Sequence, residues 1–324
     1  PNKNIKGLLI FIDKNKSADN FFFNIYGDEI KIKAELDKYK ISSKLYKIFN
    51  SSSVVSDEET PLTAIKNSKD SSMWNSINSQ LLDNSDISLS AGNTGVLFVV
   101  SRMLLKTMDQ INKPALAGLW PNKNGMNVVL DLGANVECDE NNLVDFSKMG
   151  AALYKALFQE SPKVALLNVG SEEIKGTDVL KKAHTILKET NSTNDFLFDG
   201  YIEGNKMMEG KVNVIVTDGF TGNVALKTAE GTAKFLTDNL KKHLTENIMS
   251  KFSLIFSYFS LKRFKQKLDP RKYNGAIFLG LKGPVVKSHG STDALGFYHS
   301  IDLSYRIIKG DLMSKMKKNL NETH

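Results

Sequence analysis

Short apolar runs recur along the chain, each closed by a loop that combines Gly with Asn or Asp. Ile87–Leu89 leads into S-A-G-N-T-G (Ser90–Gly95) and then an apolar helix over 96–105. Val128–Leu130 leads into D-L-G-A-N (Asp131–Asn135), and Val164–Leu167 into N-V-G-S-E-E-I-K-G (Asn168–Gly176) with a helix from about Asp178 to Lys188. Val212–Thr217 leads into D-G-F-T-G-N (Asp218–Asn223), where Gly219 and Gly222 predict a turn before a helix starting near Val224. Repetition of strand, loop and helix predicts βα units with their loops on one sheet edge. The fold class expected is a three-layer α/β/α protein around an open, mostly parallel sheet. Ligands of such sheets bind beyond the strands' C-terminal ends, beside helix N-termini that attract anions.

The flanking pattern is less regular. Phe21–Tyr26 and Ser42–Phe49 read as strands, whereas Leu8–Ile12 fits helix or strand equally. Asp57–Lys69 reads as a polar loop around Pro61, and Met73, Trp74, Ile77 and Leu81 have helical spacing. Ala229, Ala233, Leu236, Leu240, Leu244 and Ile248 predict a long helix. Gly275–Leu281 reads as a strand, followed by Gly283–Thr292, a helix through Ile308, and a charged, frayed tail from Lys309.

Composition narrows this picture. A chain of 324 residues, 41% hydrophobic, can bury a large core in one α/β domain or two smaller ones. The single cysteine, Cys138, excludes a disulfide framework and a C-x-x-C metal site, and reads as a small buried side chain, not a nucleophile. No apolar stretch reaches the ~20 residues of a spanning helix. The net charge of +7 is local: Lys251, Lys262, Arg263, Lys265, Lys267, Arg271 and Lys272 face one anion, Asp269. The remainder is nearly balanced, so no basic track for nucleic acid exists. The uncharged run Phe252–Leu261 precedes that cluster, with Ser253, Ser257 and Ser260 on one narrow stripe. This predicts an interfacial helix whose Phe252, Ile255, Phe256 and Phe259 enter the acyl boundary while Lys262 and Arg263 meet anionic head groups. Burial against a second copy is the competing reading.

The loops carry the candidate chemistry. None fits G-x-G-x-x-G or G-x-x-x-x-G-K-[ST], which disfavours dinucleotide and P-loop sites. Lys175 can reach an anion from its turn, or pair with Glu172 and Glu173 as a surface lysine. His289, in S-H-G-S-T, can donate to an anion or cap the last helix. The other histidines form no metal-ligand spacing, and no cofactor is implied.

Taken together, K-D-S-S-M (Lys69–Met73), S-A-G-N-T-G, K-P-A-L-A (Lys113–Ala117), D-L-G-A-N, L-L-N-V-G-S-E-E-I-K-G, Glu203–Gly204, D-G-F-T-G-N-V-A-L-K-T-A-E-G (Asp218–Gly231), Phe278–Leu281 and S-H-G-S-T resemble the PlsX family of bacterial phosphate acyltransferases, over roughly Gly27 to Ile308. The resemblance implies transfer of an acyl group from acyl carrier protein to inorganic phosphate for phospholipid synthesis. It also implies a fold akin to phosphotransacetylases and isopropylmalate dehydrogenases, a homodimer, and a cytoplasmic enzyme held peripherally on the inner face of the plasma membrane. The family opens with a strand and a D-A-M-G-G-D loop that have no match here. The expectation is therefore one catalytic α/β domain over 1–324 lacking that first strand and loop, with a helical excursion over 224–272 whose 251–272 faces the membrane. Asn274 stands where the family usually has Gly, and Thr177 where it usually has Asn.

Phosphate is substantially dianionic near neutral pH and a thiol leaves readily, so the implied reaction needs positioning and oxyanion stabilisation more than a strong base. Lys175, Asp218 and Asn223 are the expected catalytic residues. Lys175 neutralises charge and Asp218 orients it or the phosphate proton. Asn93, Thr94, Gly95, His289 and Ser291 are expected to bind substrate, with Asn135 and Asn168 shaping the floor. The alternatives are a phosphotransacylase using acyl-CoA and a catalytically inactive scaffold at the membrane.

Overall fold

The computed structural model describes residues 1–16, 21–55, 68–267 and 269–321. The predicted loop over Asp57–Lys69 lies outside these apart from its last two residues. Side chains at 248, 250–255, 265, 267 and 321, including those of Phe252 and Ile255, also lie outside the described residues.

The chain opens with α1 (Asn2–Lys14), β1 (Phe23–Gly27), α2 (Glu29–Lys38) and β2 (Tyr46–Asn50). The ambiguous run over 8–12 is helical, because Ile5, Leu8 and Phe11 fall on one face and are buried there. β1 and β2 pair in parallel as a separate ribbon. Next come α3 (Ser72–Leu81), capped by the Ser71 hydroxyl, then β3 (Ser88–Ser90) and α4 (Thr94–Leu105). A hairpin of β4 (Ala115–Pro121) and β5 (Met126–Leu130) leads to α5 (Glu140–Phe158), β6 (Lys163–Asn168), α6 (Asp178–Glu189), β7 (Leu197–Glu203) and β8 (Val214–Val216). Two long helices follow, α7 (Gly219–Thr245) and α8 (Ile248–Lys267). A 3₁₀ turn at Pro270–Tyr273, β9 (Ala276–Leu279), β10 (Val285–Lys287), α9 (Ala294–Lys309) and α10 (Leu312–Asn321) complete the described chain.

The eight-stranded sheet has the order β3-β10-β9-β4-β5-β8-β6-β7. Alternation along its strands separates the two cores. Val128, Leu130, Val164, Leu166, Val214 and Val216 face α5 and α6, with α9 and α10 completing that layer. Val129, Ala165, Leu167 and Ile215 face the other way, toward Ala225, Leu226 and Ala229 of α7. Phe278 and Val285 meet α3 and α4 on that second face. Each fully buried aliphatic side chain contributes on the order of 1.5–3 kcal/mol, so the α/β/α sandwich is set by the strand alternation.

Four expectations need correction. First, the loops do not share one edge. β5, β8, β6 and β7 are mutually parallel, but β4, β9 and β10 join through antiparallel steps, and β3 is parallel to β10. The sheet is thus mostly parallel, while the loops after β3 and β10 leave the edge opposite to those after β5, β6 and β8. Second, α7 starts at Gly219, not near Val224, because both glycines lie inside its first turn. A Cβ on Gly222 would stand 1.9 Å from the Asp131 carbonyl oxygen, and one on Gly219 2.4 Å from that of Asn135. They permit close approach of a helix to a loop and no left-handed turn. Third, the tail after Lys309 is not frayed over α10: Leu312, Met316 and Leu320 are buried against α5. Fourth, Arg271 does not belong to the exposed basic face, since it is held between Asp269 and Asp293.

Candidate functional site

The structure gathers the candidate residues into two clusters, one at each sheet edge. The first lies where β5, β8 and β6 end side by side. Its organiser is Asp131, wholly buried, which sequence reasoning left without a role. Asp131 Oδ1 accepts from the N–H groups of Leu116 (3.0 Å), Gly133 (3.2 Å) and Ala134 (3.0 Å). Oδ2 accepts from Asn135 N (2.7 Å) and Asn135 Nδ2 (2.9 Å). Burial pushes this carboxyl above its ordinary range, against the pull of the hydrogen bonds from Ala134, Leu116 and Asn135. The readable signal was an Asp followed by Leu-Gly-Ala-Asn, in which the Asp side chain can accept from backbone N–H groups two and three residues on. Asn135 spends its second amide hydrogen on Pro114 O (2.7 Å), so it shapes the loop and offers no donor outward.

Against this loop sits the N-terminus of α7. Asp218 caps it, accepting from Thr221 N (2.8 Å) and the Thr221 hydroxyl (2.8 Å). Gly219 N donates to Asn135 O (2.8 Å). Asn223, one turn on, lies over Gly133, where an added Cβ would meet its Cβ at 3.4 Å. The Asn223 amide is exposed, and no hydrogen bond holds it among the described residues.

The loop after β6 forms the next wall. Asn168, buried at the strand's end, accepts from Val169 N (2.8 Å) and donates to Lys175 O (3.1 Å). Gly176 has φ +94°, and a Cβ there would strike Asn168 Oδ1 at 2.4 Å. Asn168 therefore folds the turn that displays Lys175. The Lys175 ammonium lies 2.7 Å from Glu172 Oε1 and holds that carboxyl below its ordinary value. Asp218 is engaged by Thr221, so the expected orientation of Lys175 by Asp218 is not what the structure has. Cys138 Sγ stands 4.0 Å from Asn135 O, and burial, reinforced by the Asp131 charge, pushes its thiol up to about 11. So little thiolate exists at neutral pH that nucleophilic chemistry there is unsupported.

The second cluster lies beyond β3 and β10. Asn93 caps α4, with Oδ1 accepting from Val96 N at 3.1 Å. Thr94 and Gly95 open that helix, where first-turn N–H groups lack intrahelical partners. Ser288 N donates to Ser90 O (2.8 Å), placing the two loops side by side. His289 Nδ1 accepts from Ser291 N (3.3 Å) and lies 2.9 Å from the Ser291 hydroxyl. The neutral ring then carries its proton on Nε2, an outward donor. Behind this loop, Arg271 forks onto Asp269 (2.6 Å) and Asp293 (2.8 Å). Its guanidinium holds the Asp269 carboxyl below the ordinary value, and the Gly296 N–H with Arg271 does the same for Asp293.

On the protruding helices, α7 buries only Gly219 and Gly222. Phe235, Leu236 and Leu240 are exposed along it. On α8, Phe256 (87% exposed) and Phe259 (71%) stand in solvent beside exposed Lys262 and Arg263. Among the described residues, no helix is long and apolar enough to cross a membrane.

Comparison with known proteins fits this architecture. The family model described as "Fatty acid synthesis protein" matches residues 5–315. The chain belongs to this family. A relative from Pelagibacter ubique named "Phosphate acyltransferase" is 52% identical over 94% of this chain and 91% of its own. Among solved structures, a phosphotransacetylase from Streptococcus pyogenes superposes with TM-score 0.63 at 15% identity, covering 95% of this chain and 91% of that one. The EutD phosphotransacetylase from Staphylococcus aureus gives 0.61 at 13% identity, covering 96% and 92%. At such identities the likeness is one of fold, and it bears out the phosphotransacetylase-like α/β/α class.

Proposed function

We propose that this protein is a phosphate acyltransferase that moves an acyl group from a thioester of acyl carrier protein onto inorganic phosphate. Acyl transfer to phosphate rests on the 52% identity to a protein of that name, held over 94% of the chain. The carrier-bound donor is our own addition. The observation that best supports the chemistry is the meeting of the Asp131–Asn135 loop, the first turn of α7 and the Lys175 turn at one sheet edge.

In this reading Lys175 leaves Glu172 to neutralise phosphate or the developing oxyanion. Asn223 donates from its exposed amide, and Asp218 fixes the helix end that presents it. A phosphate oxygen forms a C–O bond to the thioester carbonyl carbon, the C–S bond breaks, and the proton that hydrogen phosphate gives up on acylation passes to the departing thiolate. Asn93, Thr94, Gly95, His289 and Ser291, at the opposite edge, supply hydrogen bonds to a part of the thioester donor away from the reacting carbonyl. Asn135 and Asn168 act from beneath, through the loops they fold. The low demand for a base suits a site where Asp131 is committed to a turn and Asp218 to a helix cap.

We further propose that residues 1–324 work as one catalytic domain, with 224–272 as a protruding helical hairpin. The exposed aromatic residues of α8 beside Lys262 and Arg263 support peripheral binding to an anionic membrane surface on the cytoplasmic side. The exposed apolar positions of α7 support a homodimer, which light scattering of the eluted protein checks; a monomeric mass removes it. The deciding experiment is incubation with acyl-[acyl carrier protein] and phosphate, trapping acyl phosphate with hydroxylamine. Acyl hydroxamate from the carrier-bound donor is expected. Product from acyl-CoA alone reassigns the donor, and product from neither removes the reading.

A further inference from the structure

We propose that Asn274 is a positioning residue for the reaction, acting through His289. This rests on the reading above, in which the His289 loop meets substrate. Asn274 follows the 3₁₀ turn by which the chain returns from the helical hairpin. Its amide is used on both sides. Nδ2 donates to Ser288 Oγ (3.0 Å) and to Gly296 O (2.9 Å), while Oδ1 accepts from His289 N (3.0 Å). One side chain therefore ties the residue before His289, the backbone of His289 and the first turn of α9.

The loop has few other restraints. His289, Gly290 and Ser291 are exposed, and the ring contacts to Ser291 are internal to the loop. Ser288 is fully buried and hydrogen-bonded to β3 through its N–H, which fixes the loop's entrance. Arg271, bridging Asp269 to the α9 cap Asp293, fixes its exit. Between those points Asn274 alone grips the His289 backbone by a side chain among the described hydrogen bonds. The direction in which Nε2–H points is thus set from Asn274, whose two amide hydrogens are both spent on Ser288 and Gly296. A donor displaced by an ångström can lose an order of magnitude or more in rate.

The test is a double-mutant cycle on kcat/KM in the acyl phosphate assay, using Asn274→Ala, His289→Ala and the pair. Asn274→Ala is expected to lower kcat/KM ~10-fold in the wild-type background and less than ~2-fold once His289 is gone. A merely structural role would move both backgrounds equally, and equal effects overturn the proposal. So does a His289→Ala enzyme with wild-type turnover. A second readout is independent of catalysis: the ring nitrogen resonances of His289, read by NMR in the folded protein, should shift in Asn274→Ala. Unchanged resonances refute positioning. Absence of acyl phosphate from the wild type itself would instead count against the proposed reaction, leaving the ring resonances to decide the role of Asn274.

Discussion

Removing the Lys175 ammonium while leaving its turn intact isolates the charge that the proposed reaction needs. An ammonium ~4 Å from a unit negative charge is worth ~4 kcal/mol at an effective dielectric of ~20. The Lys175 side chain is 47% exposed, so solvent screening reduces this to ~2–3 kcal/mol, or roughly 10²-fold in kcat/KM. The fold should not suffer, because Asn168 holds the turn through the Lys175 backbone carbonyl and not through the side chain. Glu172 supplies an opposite-signed control. Its pair with Lys175 is exposed on both partners and contributes little, because solvent screens it. Glu172→Gln frees the ammonium and should raise kcat/KM by no more than ~5-fold. The measurement is hydroxylamine-trapped acyl phosphate over a range of phosphate concentrations, alongside thermal denaturation. Lys175→Ala turning over within ~2-fold of wild type, with an unchanged melting temperature, refutes the assignment.

Two other expectations concern stability and the membrane. Burial on α5 raises the Asp145 pKa to about 6 from 3.8, with Lys148 pulling against it. A raised carboxyl pKa makes the folded state bind its proton more readily, so this group's contribution to stability is greatest below about pH 4 and is lost as pH rises through 6. The stability of Asp145→Asn in urea titrations should therefore gain on wild type by ~1–2 kcal/mol between pH 4 and 7, and parallel pH profiles would contradict it. For the hairpin, Phe256→Asp places a charge on the most exposed aromatic position among its described side chains. It should abolish flotation with vesicles containing phosphatidylglycerol while leaving turnover on soluble donor unchanged; equal flotation removes the membrane role.

The three layers were legible because they depend on local periodicity. Val128, Val129 and Leu130 face alternate cores, whereas of the predicted apolar stripe of α7 only Ala229 packs on the sheet, Ala233, Leu236 and Leu240 being exposed. Strand direction was not legible. The run Ile87–Leu89 looks like the others, but its loop faces the opposite edge because β3 enters the sheet through β10, β9 and β4. Of the three antiparallel steps, β4–β5 and β9–β10 are local hairpins, but the β4–β9 step and the parallel β3–β10 pairing join segments far apart in sequence, and no window of residues contains those. The α10 helix was missed for a related reason. Leu312, Met316 and Leu320 are spaced for a helix, yet the surrounding lysines outweigh them until α5 supplies a surface to cover.

At the site, the residues readable in sequence are those that touch the outside. Lys175, Asn223 and His289 stand out as polar groups in glycine loops, and the structure leaves each at the surface. The residues that place them are harder to see, because what they bind is backbone. Asp131 gathers five N–H hydrogens, including two from Asn135 and one from Leu116 across the β4–β5 hairpin, and so shapes the ledge on which Asn223 rests. Gly219 and Gly222 are required by that ledge: their missing side chains let α7 come down onto the Asn135 and Asp131 carbonyls. A glycine that permits contact and one that permits a left-handed turn look alike in sequence. Only the partner backbone, 84 residues from Gly219 and 91 from Gly222, tells them apart. That distance is why the loops at this sheet edge could be picked out in sequence while their mode of assembly could not.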